Sequence, residues 1–295
     1  MITVTQFSDT HFSTPGNRSH GGFGYDTNDA FDAALAHAFG SGPGTEFAVV
    51  TGDVADHGRP DEYAVAIEAL SRIPVPTNVL PGNHDFDTPL KVAVPRPGLG
   101  MDRTQRIGQW LFVFADSNHQ GRQVGDDGRL IDRDDRIEAD AALGAHESAW
   151  IADMIAASDA DHTFVWLHHP PGMPGSYGSE VLDREVEALI EQCPSIRGLA
   201  AGHIHSDPVL EIADRPVYVC PALTISFDFE AWTTLPPGYR TYEFHPDGRI
   251  ASDCHLLDDE RWPRFDLPEP VVRHFKGELS WDQLMAQIAG GTTGG

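Results

Sequence analysis

The sequence is poor in basic residues. It has 20 Lys and Arg against 45 Asp and Glu, which gives a formal net charge of −25 at pH 7. A protein with this charge repels polyanions such as DNA, RNA and anionic membrane surfaces. No stripe of Lys or Arg interrupts the acidic composition, which disfavours a nuclease that binds extended nucleic acid. An anionic substrate would need a local cationic centre.

Cysteines and long apolar runs are also scarce. The three cysteines, Cys193, Cys220 and Cys254, are widely spaced and form no Cys-x-x-Cys pair, so we expect no disulfide framework and a reducing compartment. No apolar run approaches the length of a membrane span, and the opening MITVTQF carries neither a basic nor an apolar leader segment. We therefore expect a cytoplasmic protein without a membrane partner.

The apolar residues alternate between strand-like and helix-like segments. Short runs rich in Val, Phe and Ile recur: ITVTQF (2–7), FAVV (47–50), NVL (78–80), WLFVFA (110–115), TFVWL (163–167), GLAA (198–201) and PVYVC (216–220). Between them, apolar residues recur at helical spacing over 31–39, 63–70, 150–155 and 182–190. This alternation predicts an α/β fold with helices on both sides of central sheets, and catalytic residues beyond the carboxyl ends of the strands.

The pattern changes towards the end of the chain. After about residue 206, strand-like pieces with Pro-Gly and Asp-Gly turns predict a mixed or antiparallel second half. At residue 266 the composition shifts again, so we predict a main domain at 1–265 and a C-terminal extension at 266–295, with a short helix and a flexible tail. Ser280 would be the N-cap of that helix, with Gln283 in the capping-box position.

Polar residues follow five of the predicted strands. They are Asp9 and His11, Asp53 and Asp56, Asn83 to Asp85, His168 and His169, and His203 and His205. Each group alone is a weak signal, but five at strand ends need an explanation, because unpaired buried polar groups cost free energy. Carboxylate, imidazole and amide ligands without thiolate suit Mn, Fe, Zn or Co. Seven candidate ligands are too many for one ion that must also hold water or substrate, so we expect two metal ions.

Together these motifs resemble the calcineurin-like metallophosphoesterase superfamily. Its five motif blocks are matched in order, over residues 2–250, by Asp9-x-His11, Gly52-Asp53, Gly82-Asn83-His84-Asp85, His168 and Gly202-His203-x-His205. The stretches SDTHF, GRPDEY and HHPP are similar to class III cyclic nucleotide phosphodiesterases and to dinuclear glycerophosphodiesterases. The resemblance implies a four-layer αββα sandwich of two mixed sheets flanked by helices.

The resemblance also implies a role for each site residue. One metal would be held by Asp9, His11, Asp53 and His205, and the other by Asp53, Asn83, His168 and His203. Asp53 would bridge them, and a hydroxide held between the ions would attack the phosphodiester. His84, oriented by Asp56, would be the catalytic proton donor, while Asn83, His84 and His205 would bind substrate. For Asp56 a role in a turn or helix cap stays open, and His169 is expected to be structural or to support a metal ligand.

We therefore predict a phosphodiesterase that acts on small diesters, with the 3′,5′-cyclic nucleotides cyclic AMP and cyclic GMP as first candidates. A glycerophosphodiesterase or a broad-specificity phosphodiesterase would use the same metal ligands. A non-catalytic scaffold is disfavoured, because all the ligands and His84 are present. A protein phosphatase is disfavoured too, because His57 stands where that branch carries arginine. The resemblance allows a homodimer or a higher homo-oligomer.

Overall fold

The structure is a computed structural model that describes residues 1–14, 25–40, 44–85, 87–118, 141–280, 283–284 and 286–287. Its strands are β1 (Ile2–Phe7), β2 (Phe47–Thr51), β3 (Thr77–Leu80), β4 (Leu99–Gly100), β5 (Thr104–Ile107), β6 (Trp110–Phe114), β7 (His162–Trp166), β8 (Ile196–Ala201), β9 (Val209–Ile212), β10 (Arg215–Val219), β11 (Ser226–Asp228), β12 (Thr233–Leu235), β13 (Gly238–Phe244) and β14 (Ile250–Leu256). Its helices are α1 (Thr27–Phe39), α2 (Pro60–Leu70), α3 (Asp87–Ala93), α4 (Gly144–Ala157), α5 (Glu180–Gln192) and α6 (Glu269–Phe275).

Two six-stranded sheets form the centre of the protein. The first has the order β14-β13-β1-β2-β3-β4 and the second has the order β5-β6-β7-β8-β10-β9. Strands β1 to β4 are parallel in the first sheet, as are β6, β7, β8 and β10 in the second. Antiparallel strands flank both parallel sets, so each sheet is mixed. The carboxyl ends of the parallel strands therefore supply the loops at one edge of each sheet.

Three apolar layers separate the four layers of secondary structure. The layer between the sheets is rich in aromatic residues, including Phe112, Phe164, Trp166 and Phe244, none of which is more than 1% exposed. A second layer lies between the first sheet and helices α1 and α2, and a third lies between the second sheet and helices α4 and α5. The predicted αββα sandwich of two mixed sheets is confirmed.

The helices begin where the sequence supplies a start signal. Pro60 is the first residue of α2, where its missing N–H costs no hydrogen bond. Asp26 caps α1 by accepting from the N–H groups of Asn28 and Asp29, and Ser179 caps α5 by accepting from that of Leu182. The helices predicted over 31–39, 63–70, 150–155 and 182–190 are confirmed.

The C-terminal region differs in part from the sequence prediction. The capping box is present, because Ser280 N–H donates to Gln283 and the Gln283 N–H donates to the Ser280 hydroxyl. An unpredicted helix, α6, precedes it and follows Pro268. Its single apolar turn is too short to give a periodic signal. The predicted tail at 290–295 lies outside the described residues, and the domain boundary at 265 stays a prediction.

Among the residues that the structure describes, no helix has both the length and the apolar character that crossing a membrane requires.

Candidate metal centre

The polar residues predicted from the sequence meet at one edge of the sandwich. One carboxylate or imidazole atom from each of Asp9, His11, Asp53 and His205 lies within 4.8 Å of the others. These four residues come from loops after β1, β2 and β8, so both sheets contribute. All four are buried.

A second group lies beside the first. The Asn83 side-chain oxygen is 2.9 Å from His168 Nε2 and 3.0 Å from His203 Nδ1. Asn83 follows β3, whereas the two histidines follow β7 and β8. All seven residues predicted as ligands are thus gathered into two neighbouring groups.

Asp53 lies between the two groups. Its Oδ2 atom is 3.5 Å from His11 Nε2 in the first group and 3.5 Å from His168 Nε2 in the second. Its Oδ1 atom accepts a 2.7 Å hydrogen bond from the His84 backbone N–H. The loop after β3 therefore holds the carboxylate so that one of its oxygens faces both groups of potential ligands.

Several of these residues have an unusual backbone conformation. Positive φ angles between 42° and 72° occur at Asp9, His11, Asp53, His203 and His205. A left-handed conformation costs about 1–2 kcal/mol for a residue that is not glycine. Such strain is found where a structure needs a side chain in one position. Here it turns the chain sharply at the strand ends, so that residues two apart, such as His203 and His205, can both face the centre.

Glycines allow the loops to approach each other closely at this edge. A Cβ atom on Gly202 would collide with the side chains of Ser8 and Asp9. A Cβ atom on Gly82 would collide with the Asp53 carboxylate. The Asp9 carboxylate also accepts hydrogen bonds of 3.0 and 3.1 Å from the His203 backbone N–H. Close packing against a loop of the second sheet therefore fixes the Asp9 carboxylate, and close packing between two loops of the first sheet fixes the Asp53 carboxylate.

A model of the calcineurin-like phosphoesterase family matches residues 2–207. The chain belongs to this family. The 3′,5′-cyclic adenosine monophosphate phosphodiesterase CpdA of Escherichia coli (strain K12) is 26% identical over 273 residues, covering 88% of this chain and 92% of that protein. The glycerophosphodiester phosphodiesterase GpdQ of Enterobacter lignolyticus (strain SCF1) is 25% identical over 298 residues, covering 96% and 95%.

Solved structures have the same fold. A dimetal phosphatase from Danio rerio has a TM-score of 0.59 at 13% sequence identity, with 90% of this chain and 98% of that chain covered. GAP50 of Plasmodium, described as the anchor in the inner membrane complex, also has a TM-score of 0.59, at 12% identity, with 98% and 94% covered. At these identities the likeness shows the phosphoesterase fold alone.

The arrangement of lone pairs in this phosphoesterase site fits bound cations. His11 and His205 approach each other through their Nε2 atoms at 3.2 Å. Their Nδ1 atoms face the Asp56 carboxylate and the Ile225 carbonyl, which can only accept. In the neutral rings both Nε2 atoms then carry lone pairs, which repel unless a cation lies between them.

The second group has the same arrangement. His168 Nδ1 donates a 2.8 Å hydrogen bond to the Thr51 carbonyl, so Nε2 of the neutral ring directs a lone pair at the Asn83 oxygen. Two acceptors 2.9 Å apart need a cation or an added proton. The backbone carbonyls that fix the rings have the role that neighbouring acceptors have at metal-binding histidines. Both groups therefore fit a metal ion, and together they fit a two-ion site.

In the metal-free site, neighbouring carboxylates and imidazoles shift each other's pKa values. Burial would raise the pKa of Asp53, but the nearby His168 holds it well below the usual range. Burial would lower the pKa of His168, but the Asp53 carboxylate raises it to about 9. Burial and the neighbouring His168 lower the pKa of His203 to about 3. His203 is therefore neutral and able to bind a metal, whereas His168 carries a proton that a metal would displace.

His84 is bonded to the backbone of Asp56. Its Nδ1 atom donates a 2.7 Å hydrogen bond to the backbone carbonyl of Asp56. The Asp56 carboxylate is instead 3.2 Å from His11 Nδ1 and 3.4 Å from His57 Nδ1. Asp56 therefore contacts two site histidines through different atoms. The catalytic roles of His84 and Asp56 stay predictions.

Asp85 is a structural residue that holds two site loops together. Its buried carboxylate accepts from the N–H groups of Val54 and Ala55 after β2, and from that of Gly82 after β3. It also accepts from the Tyr63 hydroxyl on α2. These four donors fix the loop that carries Asp53 relative to the loop that carries Asn83.

Sequence reasoning missed the residues that support the ligands. The Ser8 hydroxyl donates a 2.5 Å hydrogen bond to Asp9, and Thr51 donates a 2.8 Å hydrogen bond to Ser8. His169, by contrast, was predicted to be structural or to support a ligand. It forms a 2.9 Å hydrogen bond with Ser117, and it lies with His168 and His203 in a group of potential ligand atoms.

Proposed function

We propose that the protein is a metal-dependent phosphodiesterase that hydrolyses small diesters, with 3′,5′-cyclic nucleotides as its first candidate substrates. The chain is a phosphoric diester hydrolase by its family and by its phosphodiesterase relatives. The observation that carries the proposal is the position of Asp53 Oδ2, 3.5 Å from histidine nitrogens in both groups. A carboxylate between two sets of ligands could bind two ions at once and so hold them at the short separation that two-ion hydrolysis uses.

The proposed ligands divide into two sets that share one residue. Asp9, His11 and His205 would hold one ion, Asn83, His168 and His203 would hold the other, and Asp53 would bind both. When bound, two such ions supply positive charge that activates water and neutralises the phosphate. We propose Mn, Fe, Zn or Co for both positions, because the ligands are imidazole, carboxylate and amide.

The charge balance supports an anionic substrate. Asp9 and Asp53 provide two negative charges in the proposed ligand sets, fewer than the charge of two divalent ions. The site would therefore be cationic in a protein whose formal net charge is −25. This local centre would attract a small phosphodiester, while the acidic surface repels long nucleic acids.

His84 is the proposed proton donor. Its backbone N–H bonds to Asp53, and its Nδ1 bonds to the Asp56 carbonyl, so both the main chain and the ring plane are fixed. A proton exchanged with the substrate would then pass through Nε2. Such help matters most for an alkoxide leaving group, which is a strong base. Asn83 and His205 are the other residues that we propose to contact the substrate.

A glycerophosphodiesterase is the second candidate. The relative GpdQ matches 96% of this chain, a larger share than the 88% matched by CpdA, at nearly the same identity. The two activities would share the metal ligands and differ in the residues that contact the organic groups of the diester. The predicted cytoplasmic location and homo-oligomeric state stay predictions.

The experiment is a comparison of substrates with metal-reconstituted protein. Rates would be measured for cyclic AMP, cyclic GMP, glycerophosphocholine and a phosphomonoester, with manganese added to metal-stripped protein. We expect the highest kcat/KM for a cyclic nucleotide. A higher kcat/KM for glycerophosphocholine would favour the second candidate, and a preference for the monoester would contradict diesterase activity.

A further inference from the structure

Three aromatic side chains lie beside two of the proposed ligands. The rings of Phe227 and His205 are nearly parallel, at 11°, with centroids 6.3 Å apart. The Tyr177 ring lies 6.4 Å from that of His203. Phe275 contacts both aromatic residues, with centroids 5.4 Å from Tyr177 and 5.0 Å from Phe227. We call Tyr177, Phe227 and Phe275 the aromatic wall.

Hydrogen bonds connect the aromatic wall to a ligand loop and to α6. The Phe227 N–H donates a 2.7 Å hydrogen bond to the His205 carbonyl, so β11 is attached to a ligand loop. The Tyr177 hydroxyl is 3.3 Å from Nε2 of His274, whose Nδ1 donates to the Leu279 carbonyl. The first bond attaches Phe227 to a ligand loop, and the second attaches Tyr177 to α6, the helix that carries Phe275.

The C-terminal segment that carries Phe275 is anchored close to the site. The Thr234 N–H donates a 2.8 Å hydrogen bond to the Phe265 carbonyl, and the Leu267 N–H donates a 2.8 Å bond to the Trp232 carbonyl. Both Phe227 and Phe275 lie outside residues 2–207, which match the family model. Phe275 therefore lies beyond the part of the chain that matches the family model, yet it contacts Phe227, which is bonded to a ligand loop.

The aromatic wall differs from the core in its exposure. Its three side chains are partly exposed, whereas core rings such as Phe164 and Phe244 are fully buried. Asn83, His84 and His203 are also partly exposed. Aromatic rings beside accessible site residues can pack against a flat ligand as well as anchor a segment.

We propose that the aromatic wall binds the organic group of the substrate and gives the site a preference for flat aromatic groups such as a nucleobase. This inference rests on the proposed diesterase function and assigns the C-terminal segment a direct part in substrate selection. Stacking on an aromatic side chain is tolerant of the base, so adenine and guanine should both be accepted. An aliphatic group such as glycerol would gain little from the same contact.

A binding measurement tests the wall without relying on turnover. Calorimetry would compare the affinities of manganese-loaded protein for adenosine 5′-monophosphate and inorganic phosphate, in wild type and in Phe275→Leu. Leucine keeps an apolar side chain but removes the ring. We expect the nucleotide to bind more tightly than phosphate in wild type, and this advantage to fall about tenfold in the variant. An equal affinity for both ligands in wild type would overturn the inference.

Kinetics separate substrate binding from structural support. In Phe275→Leu we expect a KM for cyclic AMP that is raised about tenfold, with kcat nearly unchanged and kcat/KM for glycerophosphocholine unchanged. The matched control is Phe265→Ala, because Phe265 is on the same segment but is 57% exposed. We expect this control to leave both substrates unaffected. Equal losses on both substrates in Phe275→Leu would mean that Phe275 only supports the fold, and would overturn the inference.

The two proposals fail in different ways. If wild-type protein hydrolyses no diester, the proposed function is wrong, while the nucleotide-to-phosphate affinity ratio still decides the role of the wall. If diesters are hydrolysed but Phe275→Leu leaves that ratio unchanged, the proposed role of the aromatic wall is wrong and the diesterase function stands.

Discussion

Replacing Asp85 by alanine should destabilise the metal-free protein by about 4 kcal/mol. The Asp85 carboxylate is fully buried and accepts four hydrogen bonds, from three backbone N–H groups and the Tyr63 hydroxyl. Alanine would leave all four donors without this acceptor, at about 1 kcal/mol each. The estimate uses the value for an ordinary hydrogen bond, about 1 kcal/mol, and not the larger value for a charged acceptor, because burial and the nearby Asp53 raise the pKa of Asp85 and so disfavour its ionised form.

The assay is urea unfolding in the presence of a chelator, so that metal binding does not contribute to stability. Two further variants scale the effect. Tyr63→Phe removes one of the four donors and should cost about 1 kcal/mol. Asp85→Asn keeps one acceptor oxygen and thus about half of the bonds, so its cost should be intermediate. A loss below about 1 kcal/mol in Asp85→Ala would refute the conclusion that this residue holds the two loops together.

Three further predictions concern the site. His84→Asn should lower kcat about 10²- to 10⁴-fold without changing metal content, because the backbone N–H that bonds to Asp53 remains; a parallel loss of metal would contradict a role in proton donation. Gly202→Ala should weaken metal binding in equilibrium titrations, because its Cβ would displace Ser8 and Asp9; wild-type affinity would contradict the close approach. Metal uptake should release the proton of His168, whose pKa is about 9 in the metal-free protein, so the affinity for metal should rise with pH up to about 9. Calorimetry in buffers with different ionisation heats should detect this proton, and metal binding without proton release would contradict the raised pKa of His168.

The sequence predicted which residues lie together at one edge of the sandwich, because the fold brings the carboxyl ends of the parallel strands to that edge. Asp9, Asp53 and His168 each follow an apolar run, and each run is a central parallel strand with its carboxyl end at the same edge. The position of a ligand could therefore be inferred from where a strand ends. This inference did not require knowing which strands pair in which sheet, because loops from both sheets meet at one edge.

The hydrogen bonds that orient the site histidines could not be predicted in the same way. The Thr51, Asp56 and Ile225 carbonyls orient His168, His84 and His205. Every residue has a backbone carbonyl, so the sequence does not show which carbonyls orient a histidine. The hydrogen bond from His84 to Asp56 is an example: the pair was predicted, but the sequence could not show that the contact uses the backbone carbonyl of Asp56.

The aromatic wall was missed for a different reason. Its three residues come from a short 3-10 turn, a three-residue strand and the last residue of α6. Elements of this length have no hydrophobic period. They are brought together by tertiary contacts between segments almost 100 residues apart in the chain, which a pattern within one segment cannot reveal.

Titrating manganese into metal-stripped protein, while measuring hydrolysis of cyclic AMP and bis(4-nitrophenyl) phosphate, tests the central claim most directly. We predict no turnover without metal, full turnover when two ions are bound per chain, and loss of turnover in Asn83→Ala, which removes one proposed ligand. A folded protein that binds two ions per chain and leaves both diesters intact would contradict the claim.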